Sequence, residues 1–570
     1  MFNENEKLKT IVINVMYEKE SLNHVKDISD FSADQLEQFN VLLQQAYMHL
    51  QENGFVYVYG NPNVVSYLVG NYLETNDSLS FKYWIAINSN EDTTEYQNKL
   101  MKNHIAAIML IRSDSTILDF DTESCRTNRF ACPSCRRNSK DWGGKKHLLN
   151  IKGVAISDVW NDLVQINEVF EDKDVVGLNL FLSNNEPLVT FDGCTIPPIV
   201  LNRLLTLTKS NFDYKQIDID WFIDGKQCKE NKFINKKILI DDSDMNCVIC
   251  GDSIEAMEEL CNKYPDGMFD LIFADPPYNL SKNYKNYDDE NSDFEYEEWC
   301  NRWLLLCYKL LKPNGHLLVL NLPKWTLKHI SFLIKNGASL MDCIVWDAMS
   351  TPLGKVMPAH YSLVHFCKDP NVQEIYNTEY IYPTVNYCLR PSCIKNRTED
   401  NSRRFKLSNI WSDAHRIKHK KDRDDHPCQL PEKLMTRIIK LFSNEGDLVF
   451  DPFCGAGTTA ISALLNGRNY YTIDISNDYV EIARKKLEEI KENGYFEKKV
   501  EKKEKRKVSK KKMELYTQNV LSKLCKKPTD EEFISILLSD ESAGFTITDI
   551  EETYGNVHSL IKKCSFVIRK

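Results

Sequence analysis

The stretch Phe269-Asp-Leu-Ile-Phe-Ala-Asp-Pro-Pro-Tyr-Asn-Leu280 narrows the choice of fold more than any other part of the chain. The apolar run Leu271 to Ala274 reads as a buried strand. An acid, two prolines and an aromatic ring follow it. Proline has no N–H to give to a ladder, so the strand ends there. Asp275, Pro276, Pro277 and Tyr278 are then fixed just past the carboxyl end of a strand. In an open α/β sheet that is where ligands bind.

These groups suit one chemistry. The exocyclic amine of a nucleobase is flat, and its lone pair is delocalised into the ring. A carboxylate and a main-chain carbonyl can accept its two hydrogens and free that lone pair. An aromatic face can stack on a base taken out of a duplex. The plain alternative is a strand-end turn that contains two prolines, and a short motif needs its context.

The context is a long chain. Its 570 residues imply two to four domains. A hydrophobic share of 42% and a charged share of 27% fit a globular protein. No run approaches the ~18 apolar residues of a membrane span, and the start lacks the apolar core of a signal peptide, so a cytoplasmic protein is expected. Its 18 cysteines then read as thiols or a metal site rather than disulfides. Net charge is −10, so any nucleic-acid contact must come from local basic patches.

Helix, Asn53-Gly54, strand, helix and two further strands fill the first 111 residues, an α/β pattern. Cys125, Cys132, Cys135 and His147 follow. They could form a tetrahedral zinc site or be ordinary thiols, since the spacing matches no standard finger. From Met245 the pattern sharpens. Cys247 to Asp252 is a strand ending in Gly-Asp, and the Asp275 strand comes next. A helix from Phe294 to Leu311 stops at Lys312-Pro-Asn-Gly315.

Residues of about 370–425 break the alternation. Arg390, Arg397, Arg403, Arg404, Lys406, Lys418 and Lys420 are mixed with Tyr387, Phe405 and Trp411, which suits a DNA-contacting insertion; the alternative is a solvated basic loop. His426-Pro-Cys-Gln429 comes after it. Then the strand Leu448 to Asp451 leads through Pro452-Phe-Cys-Gly-Ala-Gly457 into Thr458 and an apolar helix. Strand, glycine turn and helix bring the backbone close to a nucleotide-like ligand. About twenty residues on, Asp474 ends another strand, placed to accept from ribose hydroxyls. Residues 497–512 are a charged run, and 515–570 read as a small helical module.

In that order these motifs resemble the amino-methyltransferases of DNA, in their permuted β group. The resemblance covers about residues 240–490. It implies an α/β fold, a doubly wound Rossmann-like sheet, with S-adenosylmethionine as methyl donor. It implies that Asp275, Pro276 and Tyr278 hold and activate the target amine. It assigns Phe453, Gly455 and Gly457 to the methionine-side loop, flanked by Asp451 and Thr458. Asp474 would hold the ribose, Asp252 would lie near the cofactor's adenine, and His426 and Gln429 would close over the methionine end. Cys428 and Leu430 depart from the family's usual Thr and Lys. The leading Asp of the quartet resembles adenine-N6 more than cytosine-N4 enzymes.

The chain also echoes itself. Asp30 to Tyr59 resembles Asp293 to Leu320, and Ile156-Ser-Asp-Val-Trp160 parallels Leu407-Ser-Asn-Ile-Trp411. Val189 to Cys194 parallels Val449 to Cys454, and Gln216 to Asp220 parallels Thr472 to Ser476. Residues 1–235 therefore read as a degenerate second copy without Asp-Pro-Pro-Tyr or a glycine turn. It would act as an internal dimer partner of a catalytic domain at 236–495, with a charged linker at 496–514 and the helical module at 515–570. The expected activity is methylation of adenine N6 in duplex DNA, with a restriction endonuclease as possible partner. The rival readings are cytosine-N4 methylation, RNA methylation and a non-catalytic DNA-binding subunit.

Overall fold

The computed structural model describes residues 7–15, 31–88, 100–126 (except 101), 155–161, 177–183, 196–220 (except 197 and 211–213), 239–280, 290–348, parts of 356–377, 407–414, 430–493 and most of 510–568. Met1–Glu488 form one compact unit and Glu489–Lys570 another.

The first sheet of the larger unit uses β1 (Leu8–Val15), β2 (Leu50–Gly60), β3 (Leu79–Asn88), β4 (His104–Arg112), β5 (Val159–Trp160), β6 (Gly177–Ser183) and β7 (Tyr214–Asp220) in the order β5-β3-β4-β2-β1-β6-β7. Helices α1 (Ala33–His49), α2 (Pro62–Thr75) and α3 (Pro198–Leu207) connect them.

The second sheet uses β8 (Cys247–Cys250), β9 (Phe269–Ala274), β10 (Leu311–Asn321), β11 (Ser339–Asp347), β12 (His360–Cys367), β13 (Ile410–Trp411), β14 (Leu448–Asp451) and β15 (Asn469–Asp474), in the order β13-β11-β12-β10-β9-β14-β15-β8. Its helices are α4 (Ser253–Lys263), α5 (Asp293–Leu310), α6 (Pro323–Lys335), α7 (Glu432–Phe442), α8 (Thr458–Leu465) and α9 (Asn477–Asn493).

This second sheet is doubly wound. Strand β9 alternates its side chains, as the pleat requires. Ile272 and Ala274 join one core with residues of α4, α5 and α6, while Leu271 and Phe273 join another with residues of α7, α8 and α9. Strands β10, β9, β14, β15 and β8 are parallel, and β12 runs against β10. Between β9 and β14 the winding reverses, which opens a crevice at the carboxyl ends of both strands.

Local chemistry explains the helix starts. Ser32 caps α1 and Ser292 caps α5, each in a reciprocal box with a residue three on, Gln35 and Glu295. The ends differ from the sequence expectation. Asn53-Gly54 and Lys312-Pro-Asn-Gly315 do not lie between helix and strand. Strands β2 and β10 already begin at Leu50 and Leu311, and the glycine sits in a register break. Leu311 pairs with Phe269, then pairing resumes at His316 with Leu271. An extra stretch of backbone bulges out, and glycine tolerates the bend.

One contact recurs in both sheets. Arg203 of α3 lies over Trp160 at 5.1 Å, as Arg437 of α7 lies over Trp411 at 5.1 Å. Each helix thus sets a guanidinium on a tryptophan of a two-residue edge strand, β5 or β13. Val189 to Cys194 lies outside the described residues. The strand beside β1 is β6, and it runs antiparallel to β1, whereas β14 is parallel to β9.

In the smaller unit, α10 (Lys510–Lys523), α11 (Asp530–Ser539) and α12 (Val557–Ile568) enclose a core of Met513, Phe533, Leu537, Leu560 and Ile561. Among the described residues no helix is long and apolar enough to cross a membrane.

Candidate active site

One cleft lies at the carboxyl ends of β8, β9, β14 and β15. Its walls include Asp252, Asp275, Pro276, Pro277, Tyr278, Asp451, Phe453, Gly455, Thr458 and Asp474. Strand pairing brings them together: Val449 and Phe450 of β14 lie beside Leu271 and Ile272 of β9, and Asp474 of β15 lies beside Cys250 of β8.

At the Asp275 end the Tyr278 hydroxyl donates to Asp275 Oδ1. Tyr278 is 8% exposed, its ring packed near Tyr361, so only a narrow part of it is open to a ligand. Its carbonyl accepts from Trp325 Nε1 at 3.1 Å, and the Pro277 carbonyl accepts from the Tyr296 hydroxyl. The quartet is therefore held from behind by α5 and α6. Asn279 adopts a left-handed φ of 55° and exchanges two hydrogen bonds with Asn291, at 2.8 and 2.9 Å. This clasp ties the end of the motif to the start of α5.

At the glycine end the Asp474 carboxylate accepts from Gly455 N at 2.8 Å and Ser476 N at 2.9 Å. Gly455 has φ 51°, a conformation that costs an L side chain energy. Burial raises the Asp474 pKa, and those two N–H groups oppose the rise. Asp451 is different. It is 3% exposed, accepts from Phe453 N and Thr459 Oγ1, and burial pushes its pKa up to about 7. Asp451 braces the turn from inside. Asp252 caps α4, accepting from Ile254 N and Glu255 N at 2.8 and 3.1 Å.

Gly457 does not line the cleft. Its φ is 85°, and an added Cβ would lie 2.6 Å from Ala483 Cβ, so it is glycine because α8 packs on α9 there. His426 and Gln429 lie outside the described residues, as do Arg390, Arg397, Arg403, Arg404, Lys406, Lys418 and Lys420. Leu430, next to Gln429, does reach the cleft wall.

Cys132, Cys135 and His147 also lie outside the described residues. Cys125 is buried in the core with Ile156 and Leu204, and burial lifts its thiol to about 11. Among the described residues one group of three possible metal ligands lies close together, His316, His365 and Cys367. His316 Nδ1 and His365 Nε2 are 2.8 Å apart, a hydrogen-bond distance, and His316 Nε2 has no partner to orient it as a ligand. With Cys367 Sγ 3.5 Å from His316 Nδ1 and 3.4 Å from His365 Nε2, the three read as a hydrogen-bonded core cluster.

Sequence reasoning missed Trp299, Ile475, Ser253 and Tyr479 on the cleft wall. Trp299 and Trp303 hold the Phe453 ring, with centroids 5.5 and 5.3 Å away. Tyr296, Trp299 and Trp303 are spaced for one face of α5, a readable signal. Ile475 is 46% exposed beside Asp474, an apolar residue left open where a flat ring could lie.

The charge of the wall decides what can bind. It carries four aspartates and no lysine, arginine or histidine among the described residues. Phosphate would be repelled. A cationic adenosyl group fits: carboxylates for ribose hydroxyls, Ile254 and Ile475 for an adenine face, Phe453 for an aliphatic chain.

A family model described as a DNA methylase, covering N6 and N4 enzymes, matches residues 269–485. A second, for D12 class N6 adenine-specific DNA methyltransferases, matches residues 432–552. The chain is 33% identical over 254 residues to the Type II methyltransferase M.BamHI of Bacillus amyloliquefaciens, covering 43% of this chain and 57% of that protein. It is 33% identical over 249 residues to the Type II methyltransferase M.HpaI of Haemophilus parainfluenzae, covering 42% of this chain and 74% of that one. It is 28% identical over 250 residues to the DNA adenine methyltransferase YhdJ of Escherichia coli (strain K12), covering 42% and 82%. The chain thus spans little more than half the length of the first of these relatives.

Proposed function

Since the chain belongs to the family of DNA amino-methyltransferases, we propose that it methylates the N6 amino group of adenine in duplex DNA. The observation that carries this is the meeting of Asp275-Pro-Pro-Tyr278 and the Asp474-braced glycine turn in one cleft whose wall holds four aspartates and, among the described residues, no basic group. S-Adenosylmethionine, when bound, supplies an electrophilic methyl group on a sulfonium. Asp474 and Asp252 would hold the ribose and adenine end, with Phe453 and the Gly455 turn along the methionine end. The remaining chemistry belongs to the chain. Asp275 and the Pro276 carbonyl accept the two amine hydrogens and draw the lone pair out of the ring. Tyr278 steadies Asp275 through its hydroxyl and offers the base an aromatic edge. Positioning supplies much of the rate, because the amine and the methyl group meet with little freedom left to lose.

Adenine is favoured by the leading Asp of the quartet, by the N6 adenine-specific family match and by the likeness to an adenine methyltransferase. The two relatives called Type II methyltransferases support a role in restriction-modification, with a nuclease of the same specificity as the partner class. A DNA substrate of that kind supports a cytoplasmic location. The test uses labelled S-adenosylmethionine with unmethylated DNA and with RNA, followed by mass spectrometry of the digested nucleosides. N6-methyladenine from DNA is the expected product. N4-methylcytosine alone, or label in RNA alone, would overturn the reading. Asp275→Ala should lower transfer on the order of 10²–10³-fold, the scale of losing one preorganised polar contact at the reacting centre, while DNA binding is kept.

A further inference from the structure

The two sheets of the larger unit share more than their class. Strands β5-β3-β4-β2-β1 and β13-β11-β12-β10-β9 stand in the same order. Pairing directions match throughout: β1 with β2 and β9 with β10 are parallel, while β4 runs against both β2 and β3, as β12 does against β10 and β11. The register matches too. Ile13 lies opposite Val58 as Ala274 lies opposite Val319. The register of β3 slips between Phe81 and Tyr83, and that of β11 between Leu340 and Asp342, the same place in both.

The contacts between the two halves are reciprocal. Asp158, two residues before Trp160, accepts at Oδ1 from the N–H groups of Ala359 and His360, at 2.7 and 3.0 Å. Asn409, two residues before Trp411, accepts at Oδ1 from those of Asn103 and His104, at 3.1 and 3.0 Å. His360 Nδ1 donates to Trp84 O at 3.1 Å, and His104 Nδ1 donates to Cys343 O at 3.0 Å. Within each half, Ala86 N donates to Asp158 O and Val345 N to Asn409 O, both at 2.8 Å. Near the centre α2 meets α6. Gly70 and Ser331 stand at the same place in these helices, counted from Pro62 and Pro323. A Cβ added to Gly70 would be 3.3 Å from Ser331 Cβ and 2.3 Å from Leu327 O. Residues that are equivalents and also neighbours lie on a two-fold axis.

Two unrelated α/β domains could share a strand order. They would not share an interface in which residue i of one half touches j of the other, and i of the second touches j of the first. That reciprocity defines an isologous contact. We propose that the segment from β1 to β7 is a second, non-catalytic copy of the fold, docked through the face that two identical chains would otherwise share. One chain is then a complete two-fold particle.

The copy has one reaction centre rather than two, a clause that rests on the proposed function. The register of β1 and β9 puts Asn14-Val15 in the place of Asp275-Pro276, and the next two residues in sequence are Met16-Tyr17 where the catalytic half has Pro277-Tyr278. An amide replaces the carboxylate, and both prolines are gone. Strands β6 and β7 form an antiparallel pair where the catalytic half has parallel β14 and β15.

Light scattering on the full chain over a hundred-fold concentration range should give the one-chain mass of 66.3 kDa throughout. Asp158→Ala and Asn409→Ala should lower the melting temperature alike, and Asp158→Asn, whose amide oxygen still accepts both N–H groups, should retain most of it. A two-chain particle would overturn the proposal, because the shared face would then be free for a second copy. A loss confined to one of the two alanine substitutions would overturn it as well. Neither measurement depends on methyl transfer, so failure of the proposed reaction would show separately.

Discussion

Asp275 and Asp474 are both aspartates at strand ends, but they do different work. Asp275 meets the Tyr278 hydroxyl, so its orientation depends on that phenol. Tyr278→Phe should cut kcat by roughly 10–100-fold, the scale of a hydrogen bond to a charged group, with little change in the KM for the methyl donor. Steady-state kinetics separates the two effects. Asp474 braces the glycine turn through Gly455 N and also faces the cleft. Asp474→Ala should raise the KM for the methyl donor by about 10–100-fold on the same scale, and calorimetry with S-adenosylhomocysteine should show a matching loss of affinity.

The element that shapes the glycine end of the cleft is the turn from β14 into α8. Three features hold it: Asp451 inside the turn, Asp474 beneath Gly455, and the contact of Gly457 with Ala483 on α9. The last is steric. Gly457→Ala adds a Cβ at a left-handed φ and at 2.6 Å from another Cβ, so α8 and α9 must part. Strain and overpacking together should cost about 2–4 kcal/mol, read as a lower denaturation midpoint. Because α8 begins at Thr458 on the cleft wall, affinity for the methyl donor should fall too. The quartet's backing is just as much a matter of elements. Tyr296 on α5 and Trp325 on α6 hold the Pro277 and Tyr278 carbonyls.

At the scale of the whole molecule, buried acids are one source of the response of stability to pH, beside buried histidines such as His104, whose pKa burial lowers to about 4. Asp158 sits between the two halves, and burial raises its pKa from 3.8 to about 7 although two backbone N–H groups pull the other way. Its folded pKa lies above its unfolded value, so the folded state keeps the proton longer. Stability from this source is fully present below about pH 4 and is lost as pH rises through about 7. Asp451 acts in the same sense, also near 7. Asp413 acts in the opposite one: burial raises it, but Arg437 and Lys433 bring it down to about 2, so its contribution is present above pH 4 and lost in stronger acid. Asp158→Asn should therefore gain in melting temperature relative to the unsubstituted chain as pH rises from 4 to 7, measured by a thermal series across buffers.

The sequence by itself determined what depends on neighbours along the chain. The strand before Asp275, the glycine turn after Asp451, the acid at 474 and the serine caps of α1 and α5 follow from residue types at short spacing, because proline, glycine and capping hydroxyls act within one turn of backbone. Most of the cleft was legible for the same reason. Tertiary structure alone decided the rest. Nothing local tells Gly457, which packs a helix, from Gly455, which faces the cleft. Nothing local says that Asp451 is sealed inside the turn while Asp474 is open at its edge. The contact of Arg203 with Trp160 shows only in the folded chain, and the reciprocity of Asp158 with Asn409 needed partners about two hundred and three hundred residues away. Such contacts are set by which surfaces of the folded sheets meet, and no window of sequence contains both.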